Sequence, residues 1–378
     1  MADNNENKVL NVPPLRFPEF TEEWKAEQLD NIATLSKGIG ISKEQLSEDG
    51  EPCILYGELY TKYKSEIIKQ VESKTDINGS KLKRSKANDV IIPCSGETAV
   101  DIATARCVPF DNILFGGDLN VISLHQYDGA FMSYQLNGKR KYDIARVAQG
   151  VSIVHLYGEH LKAIKTYNPT LPEQQKIAKL LSLLDDRIDT QNKIIEKLQS
   201  LIKGLAAQLT QSGTPNIRLC DCLECHSSTL QENCVSVTGS YPVYGATGLI
   251  GYTNNYAYNG ESILIVKDGS GVGSLSYVND HFSVIGTLNY LTAKENYSIL
   301  YLYYALMAFN FTPYITGMAI PHIYFKDYGK AKLFYPSIEK RIRIASLLHN
   351  IEQKLVVEQN LVISLSAQKS YLLRMLFI

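Results

Sequence analysis

The sequence predicts an α+β chain: two pseudo-repeated α/β domains separated by two long helices that form an antiparallel coiled coil. Three observations predict it. The stretch Leu171–Thr210 places apolar residues at Ile177, Leu181, Leu184, Ile188, Ile195, Leu198, Ile202, Leu205 and Leu209, alternately four and three apart, with Gln191 as the one polar layer. The stretch 336–377 repeats the pattern through Ile344, Leu348, Ile351, Leu355, Val362, Leu365, Leu372 and Leu376, interrupted at Glu358 and Lys369. A constant offset of 167 residues relates the two, since Ile177 falls on Ile344 and Leu209 on Leu376. The same offset holds upstream, where Gly150-Val-Ser-Ile-Val-His155-Leu-Tyr157 falls on Gly317-Met-Ala-Ile-Pro-His322-Ile-Tyr324.

A heptad seam is narrower than the stripe a helix turns toward a globular core, and it needs a partner helix of matching period. Heptads alone specify only an oligomerisation helix, but the repeat upstream makes each helix the tail of a duplicated unit. Antiparallel pairing places Gln191 near Val362 and Glu358 near Ile195, close to the seam centre. Buried polar layers of this kind cost stability and fix register.

Taken in order, the chain has 378 residues, enough for two or three domains, and its 45% hydrophobic content is that of folded protein. The first eight residues lack the basic-then-apolar order of a leader, and the longest apolar stretch, around Ile299 to Phe309, is too short to span a bilayer. A cytoplasmic location is expected, with no membrane partner. Pro14-Leu-Arg-Phe-Pro-Glu-Phe20, Trp24 and Leu29 form an aromatic, proline-rich lead-in. Asp89–Pro93 and Ile263–Val266 read as strands, each running into a Gly/Ser turn, Cys94–Thr98 and Lys267–Gly271. Helices are expected around Ala130–Leu136 and Ser298–Phe309. Gln211-Ser-Gly-Thr-Pro215 ends the first long helix, so the second domain starts almost where that helix stops.

Seven cysteines without a secretion signal argue for reduced thiols. Cys220, Cys222, Cys225, His226 and Cys234 depart from paired Cys-x-x-Cys knuckles, and the matching stretch Leu29-Asp-Asn-Ile-Ala33 has no ligands, so buried free thiols are expected there and no metal. The net charge of -1 stands against a nucleic-acid binder, but the charge is uneven. Lys81, Lys83, Arg84 and Lys86, with Lys139, Arg140 and Lys141, make two basic runs in the first domain, whereas residues 217–330 hold 5 basic and 8 acidic residues. A phosphate loop and a Rossmann opening are absent, and Asn11-Val-Pro-Pro14 does not match an adenine-methyltransferase motif. His155 and His322 recur without a repeating nucleophile or carboxylate, which favours a repeated structural hydrogen bond at the domain–helix junction.

The lead-in LRFPEF with Trp24, Tyr244-Gly-Ala-Thr-Gly248 with Ile250-Gly-Tyr252, the Asp268–Gly271 turn, and Pro172-Glu-Gln-Gln-Lys-Ile-Ala178 opening a heptad helix together resemble specificity subunits of type I restriction-modification systems. The second long helix departs from that pattern, with Ile338-Glu-Lys-Arg-Ile342 at its start. The resemblance implies target-recognition domains at 1–168 and 213–335 and conserved helical regions at 169–212 and 336–378. It implies a non-catalytic subunit that reads a two-part, asymmetric sequence in double-stranded DNA for its partners, two methyltransferase subunits and the restriction/translocase subunits. S-adenosylmethionine, ATP and magnesium would be bound by those partners and no cofactor by this chain. The basic runs are the expected phosphate contacts; Ser95 and Thr98 in one turn, Lys267 and Ser270 in the other, are the expected base contacts. Two other classes compete: a coiled-coil scaffold binding only proteins, and a stand-alone enzyme. Two divergent globular heads favour the DNA reader, since a scaffold needs no such difference.

Overall fold

The structure, a computed structural model, describes residues 10–378. The N-terminal stretch that was read for a leader lies outside the described residues. The chain divides into two compact units, one running to Gln191 and resuming at Leu361–Ile378, the other formed by Asn192–Asn360.

In the first unit β1 (Ala33–Lys37), β2 (Asp89–Pro93), β4 (Arg106–Val108) and β5 (Leu119–Leu124) form an antiparallel sheet ordered β1-β5-β2-β4, while β3 (Ser95–Gly96) pairs separately with β6 (Val154–His155). Successive strand side chains point to opposite faces, and both faces of β2 are covered. Val90 and Ile92 join one core cluster with Ile122, Met132 and Leu136, and Ile91 joins another with Phe115, Leu119 and Val121. This two-sided burial is why the strand reads as an unbroken apolar run. Helix α1 (Gly129–Asn137) is capped by Asp128, whose carboxylate accepts from the Phe131 amide at 2.7 Å. It is apolar nearly all round because Met132 and Leu136 face the sheet while Phe131 and Tyr134 face the long helices.

Helix α2 (Leu171–Thr210) starts where the sequence places it, and its opening residues are held by the lead-in. Buried Glu173 accepts from Arg16 Nε and Nη2, each at 2.7 Å, and from the Trp24 indole at 3.3 Å. Two motifs 149 to 157 residues apart in sequence are thus one clasp. Gln174 donates to the Pro169 carbonyl at 2.8 Å and accepts from the Asp128 amide at 2.9 Å.

The second unit repeats the plan. Strands β7 (Leu223–Ser227), β8 (Tyr258–Val266), β9 (Leu275–Val284) and β10 (Leu288–Ala293) follow the order β7-β10-β8-β9, the order of the first sheet, and Tyr241–Gly245 with Gly248–Thr253 extend it to six strands. Helix α3 (Ile299–Met307) packs on Ile263, Ile265 and Leu291. In α4 (Ile338–Met375) the departure from Glu-Gln-Gln is partly made good, because Arg341, at the position equivalent to Gln174, donates to the Pro336 carbonyl at 2.9 Å and stacks 4.0 Å over the Tyr335 ring.

Within each unit the two long helices run antiparallel. In the first, Ile177 and Leu181 near the start of α2 cluster with Leu372 and Leu376 near the end of α4. In the second, Leu205 and Leu209 near the end of α2 share a core with Ile344 and Leu348 near the start of α4. Both polar seam residues, Gln191 and Glu358, are buried. Lys369, the other polar interruption, reaches Asp185 and Glu66, each at 2.6 Å, and Tyr134 donates to Asp185 at 2.7 Å. Asp185 lies one residue from the register of the seam, whose symmetry sets it opposite Gln368. Burial works to lower the Lys369 pKa, but Glu66 and Asp185 outweigh it and hold the ammonium above the ordinary lysine range. No helix among the described residues is long and apolar enough to cross a membrane.

Of the clustered thiols only Cys222 is buried; Cys220 and Cys225 are half-buried, which corrects the expectation of buried thiols throughout the cluster. The one-turn helix Leu219–Cys222 leading into β7 matches Leu29–Ile32 leading into β1, so buried Cys222 stands where the first unit has buried Ile32. Burial pushes the Cys222 thiol up to about 12 and Cys225 to about 11, while Cys234 is exposed. Among the described residues no three His, Cys, Asp or Glu side chains are grouped to hold a metal ion.

Candidate nucleic-acid interface

The basic run 81–86 spans a 3-10 turn ending at Lys81 and the short strand Lys83–Arg84, which pairs with Leu114–Phe115. Lys81 and Lys86 are exposed and Lys83 half-buried. Arg84 is engaged inside the unit: its guanidinium meets Glu51 at 2.6 and 3.0 Å, which holds the Glu51 carboxyl below its ordinary range. The second run follows α1, with Lys139 and Lys141 half-buried. Arg140 there donates to the Ile378 carbonyl at 2.9 Å, pairs with Asp143 at 3.1 Å and lies 5.4 Å over the Tyr167 ring. Each run therefore sets lysines that are exposed or half-buried beside an arginine spent on the fold.

The turn after β2 is joined to the first recurring histidine. His155 pairs in register with Ser95, its Nδ1 lies 3.3 Å from Ser95 Oγ, and the Tyr60 hydroxyl donates to the Ser95 carbonyl at 3.0 Å. Thr98 caps the short helix Ala99–Ile102, with its hydroxyl accepting from the Asp101 amide at 3.1 Å. Beside this turn lies a cleft of about 700 Å³ lined by Tyr56, Tyr60, Ser95, Glu97, Arg106 and Ile153. Arg106 is buried and donates to the Tyr63 carbonyl at 2.8 Å, so its charge is committed to the cleft floor.

The second unit makes the same junction. Asp268 bridges to His322, and the Gly269 amide donates to the Pro321 carbonyl at 2.9 Å. Lys267 pairs with Asp268 at 2.8 Å and Ser270 is exposed. The recurring histidines thus belong to the Gly/Ser turns, a correction to the sequence reading, which set them at the domain–helix junction. What repeats is main chain: Gln149 and His155 exchange backbone hydrogen bonds at 2.9 and 2.7 Å, and Thr316 and His322 at 2.9 and 2.8 Å. The side chains differ, since His322 Nδ1 lies 3.2 Å from the Ile320 carbonyl and has no hydroxyl in the place of Ser95.

A second cleft, of about 510 Å³, which the sequence reading did not single out, lies in the second unit. It is lined by Thr229, Ser236, Thr253, Asn254, Asn255 and Tyr256, and Tyr256 and Tyr241 pack on His281 with ring centroids 4.6 and 5.5 Å away. Amides and hydroxyls in this density suit hydrogen bonding to base edges, and the flat rings offer contact area, where cations are scarce. The one available signal was the concentration of Tyr and Asn between Tyr241 and Tyr258.

The model of the type I restriction modification DNA specificity domain matches this chain twice, over residues 21–200 and 217–365. The chain belongs to that specificity-domain family. The specificity subunit of the type I restriction enzyme EcoprrI from Escherichia coli is 28% identical over 112 residues, covering 30% of this chain and 28% of that protein. The MjaVIII specificity subunit from Methanocaldococcus jannaschii is 27% identical over 208 residues, covering 53% of this chain and 44% of that protein. The matched stretch is thus under half the length of either relative. In fold, the S subunit of a type I restriction-modification system from M. genitalium superposes with a TM-score of 0.70 over 97% of this chain and 99% of that one, at 19% identity. Two specificity domains with a long helix after each are therefore the plan of this family member.

Proposed function

We propose that this chain is the DNA sequence-specificity subunit of a type I restriction-modification complex. It reads a two-part asymmetric target and directs an adenine methyltransferase and a motor endonuclease, and it supplies no chemistry itself. The observation that carries this reading is the double match to the specificity domain in one chain, whose two units keep one sheet order but differ in their clefts and charge. Two different reading heads call for two different half-sites, with a spacing set by the protein between them. In this reading residues 1–168 and 213–335 are the recognition domains and 169–212 and 336–378 the helical regions. Lys81, Lys83, Lys86, Lys139 and Lys141 contact phosphates, with Arg84 and Arg140 holding the two runs in place. Ser95, Thr98, Lys267 and Ser270 face the bases. S-adenosylmethionine, ATP and magnesium belong to the partner subunits. The test is methylation-site mapping in a host expressing the chain with its methyltransferase subunit. Modification of one interrupted, asymmetric sequence is expected; modification at unrelated sites, or none that depends on this chain, overturns the proposal.

A further inference from the structure

The two most exposed large apolar side chains, Met318 and Val151, lie at equivalent places in the two units. Gln149 and His155 close a five-residue loop, and Thr316 and His322 close its counterpart 167 residues on. Each loop opens with a glycine in the left-handed region, Gly150 at φ 125° and Gly317 at φ 90°. A Cβ on either would lie 2.1 Å from the Ile153 carbonyl oxygen or 2.3 Å from that of Ile320, so both turns depend on glycine in the same way. The tips stand clear of the fold: Val151 is 97% and Met318 106% exposed, and Ile153 and Ile320 are 61% and 64% exposed. A lysine braces the tyrosine that follows each loop, Lys37 at 5.7 Å from the Tyr157 ring and Lys326 at 5.0 Å from that of Tyr324, although these lysines are not at equivalent positions.

A hydrogen-bonded loop that holds aliphatic side chains in water leaves their burial for a partner. The recurrence narrows the partner. Surfaces that choose bases have to differ between two heads reading different half-sites, and the clefts and charges of the two units do differ. These loops keep one hydrogen-bonded turn and the same Gly, Ile and His spacing, with an aliphatic tip in each, so each meets something that is the same at both heads. Two things qualify, the sugar-phosphate backbone and a protein subunit present in two copies. The tips Val-Ser-Ile and Met-Ala-Ile carry no cation for a phosphate, whereas an aliphatic knob suits a hydrophobic pocket.

We infer that the loops 150–153 and 317–320 are a duplicated docking knob that seats an apolar pocket of the methyltransferase subunit, one copy on each head. The inference rests on the function proposed above. The pocket accepts either Val or Met at its centre, so its walls are adaptable. Because each loop is hydrogen-bonded to the Gly/Ser turn of its own unit, a subunit seated there lies beside the bases that turn reads.

The experiment measures assembly of the full-length chain with purified methyltransferase subunit of the same system, by calorimetry and sedimentation, and then DNA affinity of the complex. Val151→Asp with Met318→Asp, at positions outside the core, keeps the wild-type circular dichroism spectrum and weakens binding of the methyltransferase subunit about tenfold or more. Val151→Asp alone weakens one of two sites. The exchange Val151→Met with Met318→Val binds as wild type. Wild-type assembly by the double Asp variant overturns the inference, whether or not its DNA affinity falls; a fall in DNA affinity alone assigns the loops to DNA. Failure of the wild-type chain to bind the methyltransferase subunit overturns the proposed function itself, a separate result.

Discussion

At the scale of single residues, a basic run sorts into groups that the sequence presents as equals. Lys81 and Lys86 face solvent, while Arg84 is anchored by both nitrogens to Glu51. Reversing Lys81, Lys83 and Lys86 to Glu is expected to weaken DNA binding by the assembled complex and to flatten its dependence on salt. Each lost phosphate contact lowers the log–log slope by about 0.9. Base choice should stay as it was, because phosphate contacts position and do not discriminate. A salt titration of affinity decides it, and an unchanged slope would make the run a solvated loop. The lysines were legible because composition shows charge, but the partner of Arg84 lies 33 residues upstream and no local pattern points to Glu51. Cys222 was legible for a different reason: the repeat aligned it with a segment holding no metal ligands, and that segment's buried Ile32 explains why a thiol fits there.

At the scale of elements, the seam was legible almost residue by residue because heptad spacing follows directly from helix geometry. What the spacing left unexplained was why Lys369 interrupts it. The answer is tertiary: Lys369 bridges Asp185 on the facing helix and Glu66 from the globular part of the same unit, tying head to helix. Lys369→Met leaves two buried carboxylates without their cation and is expected to cost about 3–5 kcal/mol. Lys179→Met, exposed on the same helix pair, should change stability by less than about 0.5 kcal/mol. Denaturant midpoints of the two variants compare them, and equal midpoints would show that the bridge holds nothing. The raised pKa of Lys369 keeps its stabilising share intact at neutral pH; the share is lost as pH climbs through the folded value, above the ordinary 10.5. Gln191 is a buried polar layer of another kind, and Gln191→Leu is expected to raise the thermal midpoint while loosening register, visible as broadened helix resonances. A lower midpoint would mean that Gln191 contributes more than register. The clefts were not legible, since they gather residues from distant strands whose sequence shows only a polar texture.

At the scale of the whole molecule, α2 is one uninterrupted helix of 40 residues whose start belongs to the first unit and whose end belongs to the second, and α4 returns over 38 residues. If the proposed function holds, the length of this helical run bears on the spacing of the half-sites. Removing one heptad from each helix, Ile188–Ile194 and Leu355–Leu361, keeps both seams in phase, because seven residues are two turns of a 3.5-residue repeat. The excision also removes both buried polar layers, Gln191 and Glu358, so stability will shift for its own reasons and is not the readout. Seven residues rise about 10 Å, which is about three base pairs of duplex. The preferred spacer between half-sites is expected to shorten by about three base pairs, with the bases in each half unchanged. Three base pairs also turn one half-site by about 100° around the duplex, so affinity falls unless the DNA twists or bends to restore the match. Methylation mapping of the variant reads both quantities at once. A shortened spacer with intact half-sites separates a ruler from two readers, whereas an active variant that keeps the original spacer, or one whose half-sites change, would show that the helices do not measure the DNA.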